Sequence, residues 1–211
     1  MNALIVAAGT KPPEKLLEER AGQADIIVAA DGGLAALREQ GIWPDLVVGD
    51  FDSVDRELVE ACRQQGAEVL VALSEKNETD TQLALSEAVR RGAKKVCLLG
   101  ATGGRIDHLL SNIMLLKWSL EHGIELLMED GVQTMEARQG NFEIYGESGQ
   151  TVSILPVDDY AEVTAKGLYY PLDKLVLRND VPRGVSNVFV ADCAKISTEQ
   201  PVLIIKIKKI P

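Results

Sequence analysis

Short, uninterrupted apolar runs alternate with longer amphipathic stretches through the first half of the chain. Leu4-Ile5-Val6-Ala7-Ala8, Ile26-Ile27-Val28-Ala29-Ala30, Leu46-Val47-Val48, Val69-Leu70-Val71 and Val96-Cys97-Leu98-Leu99 read as strands. A strand that is apolar on both sides needs cover on both faces, which is the condition of a parallel sheet. Between these runs the spacing predicts helices near 13–21, 33–40, 55–65, 79–91 and 105–122. On the last, Leu109, Ile113, Leu116 and Leu120 are expected to form the apolar face and Arg105, His108 and Asn112 a polar stripe. Such β–α alternation implies right-handed crossovers and an open sheet between two helical layers.

After about residue 123 the helical period vanishes. Short strand-like runs follow, broken by Gly131, Gly140, Gly146-Glu147-Ser148-Gly149, Pro156-Val157-Asp158-Asp159 and Asn179-Asp180-Val181-Pro182, with 202–207 as a closing strand. That pattern predicts a small antiparallel β-sandwich or barrel. The expected organisation is an α/β domain over 1–123 and an all-β domain over 124–211.

In an open parallel sheet, ligands gather where strands run into the following helices. Those loops are acidic here: Asp31-Gly32-Gly33, Gly49-Asp50-Phe51-Asp52-Ser53, Lys76-Asn77-Glu78-Thr79-Asp80 and Gly103-Gly104-Arg105-Ile106-Asp107-His108. In an extended segment, Asp50 and Asp52 share a side while Phe51 turns to the core. Paired carboxylates repel unless a cation lies between them or one is protonated, and hard oxygen donors suit Mg²⁺. The competing reading is that Asp52 or Ser53 caps the helix starting near Asp55. Thr79 with Gln82 fits a capping box, which leaves Asp80 to reach the same metal. The turn at 100–104 leaves N–H groups near a helix N-terminus, an anion seat. Neither a Walker A loop nor a G-x-G-x-x-G fingerprint occurs. Lys76 and Arg105 are the best-placed cations for phosphate, or else ordinary surface charges. His108 reads as a structural group more readily than as a catalyst. Gly167-Leu168-Tyr169-Tyr170-Pro171-Leu172 and Arg183-Gly184-Val185-Ser186-Asn187 suit either a flat cationic ring or plain turn and core packing.

Charge narrows the partners. A net charge of -10 disfavours nucleic acids and anionic membranes. Phosphates must then be met by metal ions and a few placed cations. Cys62, Cys97 and Cys193 form no C-x-x-C pair and read as apolar fillers in a reducing compartment. No run approaches the roughly 20 apolar residues of a membrane span, and 1–6 carries no basic leader. The expected location is the cytoplasm.

With those residues laid out, the sequence resembles the thiamine pyrophosphokinase family of bacterial type. The resemblance rests on Asp31-Gly32-Gly33, Gly49-Asp50-Phe51-Asp52-Ser53, Thr79-Asp80, Gly103-Gly104-Arg105-Ile106-Asp107-His108 with Asn112, Gly167-Leu168 and Ser186-Asn187, in that order. It implies a nucleotide-binding α/β domain, a β-sandwich domain and a homodimer with thiamine near the subunit boundary. The implied reaction moves the pyrophosphoryl group of ATP to the hydroxyl of thiamine, giving thiamine diphosphate and AMP. By that likeness Asp50, Asp52 and Asp80 hold Mg²⁺, and these three with Asp107 and Arg105 form the catalytic set. Asp31, Gly32, Gly33, Lys76, Thr79, Gly103, Gly104, Arg105, Asp107, His108 and Asn112 line the nucleotide and phosphate site. Leu168, Tyr170, Ser186 and Asn187 bind thiamine. Asn77 stands where the family has Asp, and Tyr169 where it has Lys. The alternatives are a pyrophosphokinase for another alcohol, such as a hydroxymethyl pterin, and a non-catalytic nucleotide or thiamine sensor.

Overall fold

The computed structural model describes residues 1–51, 54–72 and 77–209. The chain forms two compact units, Met1–Gly131 and Val132–Pro211. In the first, strands and helices alternate as β1 (Asn2–Val6), α1 (Glu14–Ala21), β2 (Ile26–Ala30), α2 (Gly33–Glu39), β3 (Leu46–Gly49), α3 (Arg56–Gln64), β4 (Glu68–Val71), α4 (Asp80–Arg90), β5 (Lys95–Leu99), α5 (Ile106–Glu121) and β6 (Glu125–Glu129). The strands are parallel, in the order β6-β5-β1-β2-β3-β4. The chain walks outward from β1 to β4, then returns through α4 to the far side of β1.

Both faces of the sheet are covered over β1, β2, β3 and β5, as their continuous apolar runs require. In contrast β4 at the edge, also expected to be covered, leaves Leu70 and Val71 38% and 66% exposed. Leu16, Leu17, Leu34, Leu37, Val59 and Cys62 of α1, α2 and α3 close on Leu4, Val6, Ala29 and Val47. Ile5, Val28 and Val48 are equally buried but lie outside that cluster. By strand alternation they point to the opposite face, where α4 packs across β1, β2 and β3 with α5 beside it. The helical pattern ends with α5, and one more parallel strand, β6, follows it within the first unit.

Two local expectations are corrected. Helix α3 is capped by Asp55, whose carboxylate accepts from the Glu57 N–H at 2.9 Å. The capping alternative for Asp52 or Ser53 therefore falls, and both residues lie outside the described ones. On α5 the buried stripe is Asn112, Leu115, Leu116 and Ser119. Of the expected apolar face only Leu116 is fully buried, because the face that meets the sheet is rotated toward Asn112.

The second unit contains β7 (Gln133–Tyr145), β8 (Thr151–Pro156), β9 (Tyr160–Lys166), β10 (Leu172–Arg178), β11 (Asn187–Val188) and β12 (Cys193–Ile207). All its pairings are antiparallel. The first half of β12 pairs with β7 and β9, the second half with β7 and β8. A register shift between Thr198 and Val202 separates the halves. Such an irregularity lets one strand bend from one sheet into another. Ile144, Val152, Ile154, Val163, Leu177, Phe189 and Ile196 fill the core between them. The sequence pattern shows only the last residues of this strand. Its first half alternates buried Ala194, Ile196 and Thr198 with exposed Lys195, Ser197 and Glu199, as a strand solvated on one face does.

Candidate active site

The strand order reverses at β1, so the carboxyl ends of β1, β2 and β5 border a crevice at a topological switch point. There the loops after β1 and β5 zip together through backbone alone. Ala7 N–H donates to the Leu99 carbonyl at 2.8 Å, Gly9 to Gly100 at 2.6 Å and Thr10 to Thr102 at 2.7 Å. This approach leaves no room for side chains. A Cβ on Gly9 would overlap the carbonyl oxygens of Gly100 and Thr102, and one on Gly100 would overlap that of Ala7. Gly33 plays the same part at the start of α2, against the Val6 carbonyl.

The resulting cavity, of about 420 Å³, is lined by Ala7, Ala8, Gly9, Ala30, Asp31, Glu78, Thr79, Asp80, Thr81, Gly100, Ala101, Gly103, Gly104, Arg105, His108 and Asn112. The structure thus gathers Asp31, Thr79, Asp80, Gly103, Gly104, Arg105, His108 and Asn112 from the sequence-predicted set. Gly32 and Gly33 do not line it; Gly33 is buried where α2 meets β1. Lys76 and Asp52 lie outside the described residues. Asp50 lines a neighbouring cavity of about 330 Å³ with Phe51, Arg56, Glu60 and Arg63. The predicted extended run through Asp50 does not form, because Phe51 adopts a left-handed backbone with φ 57°. Phe51 still packs against the core of the first unit, as expected. The end of β3 nevertheless abuts the crevice: a Cβ at Gly49 would sit 3.3 Å from Asp31 Oδ1.

Several polar side chains of the cavity are fixed, each in its own way. Thr79 caps α4, its hydroxyl accepting from the Gln82 N–H at 3.2 Å. Asp80 occupies the first turn of that helix, where the dipole favours a carboxylate. Asn112 is buried and donates from Nδ2 to the Ala101 carbonyl at 2.9 Å, tying α5 to the glycine turn. Arg105 precedes α5 and donates to both oxygens of Asp107, at 3.1 Å from Nε and 2.6 Å from Nη2. The Asp107 carboxylate also accepts from the His108 N–H at 3.0 Å. The guanidinium, more than the backbone bond, brings the Asp107 carboxyl down to about 2. The wall formed by Ala7, Ala8, Gly9 and Thr81 lies outside the sequence-predicted site residues, while Glu78 belongs to an acidic loop already singled out. The available signal was Gly9, a glycine directly after the first apolar run.

Among the described residues no three His, Cys, Asp or Glu side chains converge as a metal cage. Asp31 and Asp80, which line the same cavity, supply oxygen donors of the kind a hard divalent cation takes. Mg²⁺ commonly takes one or two carboxylates and completes its octahedron with water and substrate phosphate.

In the second unit, Leu168 is 4% exposed and belongs to the hydrophobic core. The next residues stand outward: Tyr169 and Tyr170 are 65% and 61% exposed, with their rings edge to face at 4.9 Å. Ser186 is exposed, has φ 57° and donates its N–H to Ser153 Oγ at 3.0 Å. Asn187 is buried and hydrogen-bonded to the backbone of Tyr170.

A doubly wound α/β unit with acids and glycines at its switch point, followed by an antiparallel β unit, has the form of a two-domain nucleotide-binding enzyme. Residues 17–128 match the family model described as thiamin pyrophosphokinase, catalytic domain, and 141–203 that described as thiamin pyrophosphokinase, vitamin B1 binding domain. The chain belongs to the thiamine pyrophosphokinase family. It is 29% identical over 206 residues to the thiamine pyrophosphokinase of Bacillus subtilis, covering 95% of each chain. The crystal structure of the Bacillus subtilis enzyme superposes with a TM-score of 0.86, at 25% identity and full coverage of both chains. A thiamin pyrophosphokinase family protein of Enterococcus faecalis gives 0.85 at 28% identity, again with both chains fully covered.

Proposed function

We propose that this chain transfers the pyrophosphoryl group of ATP to the primary hydroxyl of thiamine, releasing AMP and forming thiamine diphosphate. The observation that carries this reading is the single cavity shared by Asp31, Asp80, Arg105 and the Gly103-Gly104 turn, in a chain whose family acts on thiamine. The hydroxyl attacks the β-phosphorus and AMP leaves. Such a transfer asks the protein for positioning and charge neutralisation more than for covalent chemistry.

Arg105 and the N–H groups of Gly103 and Gly104 hold the polyphosphate. We assign Asp31 and Asp80 to a Mg²⁺ site, with Asp50 and Asp52 as further oxygen donors. Bound there, Mg²⁺ would neutralise phosphate charge. Asp107 acts on Arg105: a carboxylate held near 2 is a weak proton acceptor at neutral pH. Thr79 orders the start of α4, and Asn112 the glycine turn. His108 contributes to the wall. Tyr170 and Ser186 take thiamine in the second unit.

A homodimer is supported by Ile106, Leu110 and Met114, one helical row on α5, which are 73%, 51% and 68% exposed. A cytoplasmic location accords with Cys62, Cys97 and Cys193, all free. Among the described residues, no helix is long and apolar enough to cross a membrane.

The test is an acceptor panel with ATP and Mg²⁺. Thiamine-dependent AMP release, absent with a hydroxymethyl pterin, supports the proposal. The reverse preference would move the reaction to another alcohol, and binding without AMP would make the chain a sensor.

A further inference from the structure

The amide of Asn187 is engaged on both of its ends by backbone. Its Oδ1 accepts from the Tyr170 N–H at 3.0 Å and from the Val188 N–H at 2.9 Å. Its Nδ2 donates to the Tyr170 carbonyl at 2.7 Å. One side chain thus takes both backbone groups of Tyr170, as a neighbouring strand would. The Tyr169 N–H is held alongside by the Val188 carbonyl at 2.8 Å. Asn187 itself is 5% exposed.

The segment so held is not core. Leu168 and Leu172 enter the hydrophobic cluster, whereas the rings of Tyr169 and Tyr170 stand in solvent. A buried amide that holds the Tyr170 backbone, next to Tyr169 held by Val188, contributes little to packing. It does remove the entropy that their backbone would otherwise lose on meeting a ligand. Few side chains can do this. The site needs an acceptor and a donor on one short planar group; a carboxylate lacks the donor and an apolar side chain lacks both.

We infer that Asn187 is a positioning residue for thiamine: it presets the Tyr169–Tyr170 backbone and does not itself contact the substrate. The inference rests on the thiamine reading proposed above, and it gives Asn187 a different task from the direct contact that the family resemblance implies.

The experiment compares the full-length wild type with Asn187→Ala and Asn187→Asp. It varies thiamine and ATP separately, repeats the thiamine arm with oxythiamine, and follows hydrogen exchange across residues 167–172. Loss of the three amide contacts in Asn187→Ala should raise KM for thiamine about tenfold or more. KM for ATP should stay within about twofold, on the same principle that the contact is local. The preference for thiamine over oxythiamine should be unchanged, and the Tyr170 amide should exchange faster. Asn187→Asp keeps the acceptor but sets a carboxylate oxygen against the Tyr170 carbonyl, so it should raise KM for thiamine at least as far. Should Asn187→Ala not fold, Asn187→Asp carries the same comparison. An unchanged KM for thiamine would overturn the inference, and so would an altered thiamine-to-oxythiamine preference, the mark of direct contact. Wild-type enzyme without thiamine-dependent turnover would instead overturn the thiamine reading and this inference with it.

Discussion

Arg105 and Asp107 bind each other at the entrance to α5, guanidinium to carboxylate through two hydrogen bonds, while both side chains remain mostly exposed. An exposed pair of this kind adds little to stability, so its consequence is electrostatic. In Arg105→Ala the Asp107 carboxyl should rise from about 2 toward its ordinary 3.8. Because the shift is a depression, any stabilisation from the pair is complete above the ordinary range and fades as pH falls through about 2. Carbon-13 NMR titration of Asp107 checks this. The same variant should raise KM for ATP by about 10- to 100-fold, the loss of a charge-assisted contact to phosphate.

Asp80→Asn separates chemistry from folding. The cap of α4 belongs to Thr79, so the variant should melt within a few degrees of wild type. Turnover should fall by about 10²-fold or more, as when one element of transition-state charge stabilisation is removed. Thr79→Ala should do the opposite, lowering stability by about 1 kcal/mol through loss of the cap. Thermal denaturation and saturating-substrate kinetics on the two variants check both expectations.

Gly33→Ala tests the close approach of α2 to β1. The new methyl would overlap the Val6 carbonyl oxygen, backbone that cannot swing aside. Overpacking of this kind costs about 1–3 kcal/mol, and urea denaturation should show it as a lower midpoint at unchanged slope.

Thiol reactivity offers an independent check on the sheet. Burial, opposed in part by Arg20, pushes the Cys97 thiol up to about 12. Alkylation of native protein at neutral pH should spare Cys97, whereas denatured protein should react at all three cysteines. Rapid native labelling of Cys97 would contradict its placement in β5.

The α/β half was largely legible because a parallel sheet buries both faces of each strand, so β1, β2, β3 and β5 appear as unbroken apolar runs. Signals that depend on tertiary contact were not. Nothing local marks Phe51 as left-handed, and that one backbone angle departs from the expected extended run. Asn112 reads as a surface polar residue until the glycine turn supplies its acceptor, the Ala101 carbonyl. Similarly, the sequence around Asn187 suits either ring binding or plain turn packing, and shows no partner for its amide. Only the fold brings Tyr170 to it from 17 positions away. Gly33 and Gly100 were visible as candidate chemistry, but their separate duties were not: Gly33 serves packing, while Gly100, with Gly9 on the other loop, allows two loops to meet.

The most direct test of the central claim is phosphorus-31 NMR of the purified protein with ATP, Mg²⁺ and thiamine. The account predicts AMP and thiamine diphosphate appearing in equal amounts, with neither formed when EDTA is in excess or when thiamine is omitted. Formation of ADP with thiamine monophosphate, or AMP released at the same rate without thiamine, would contradict it.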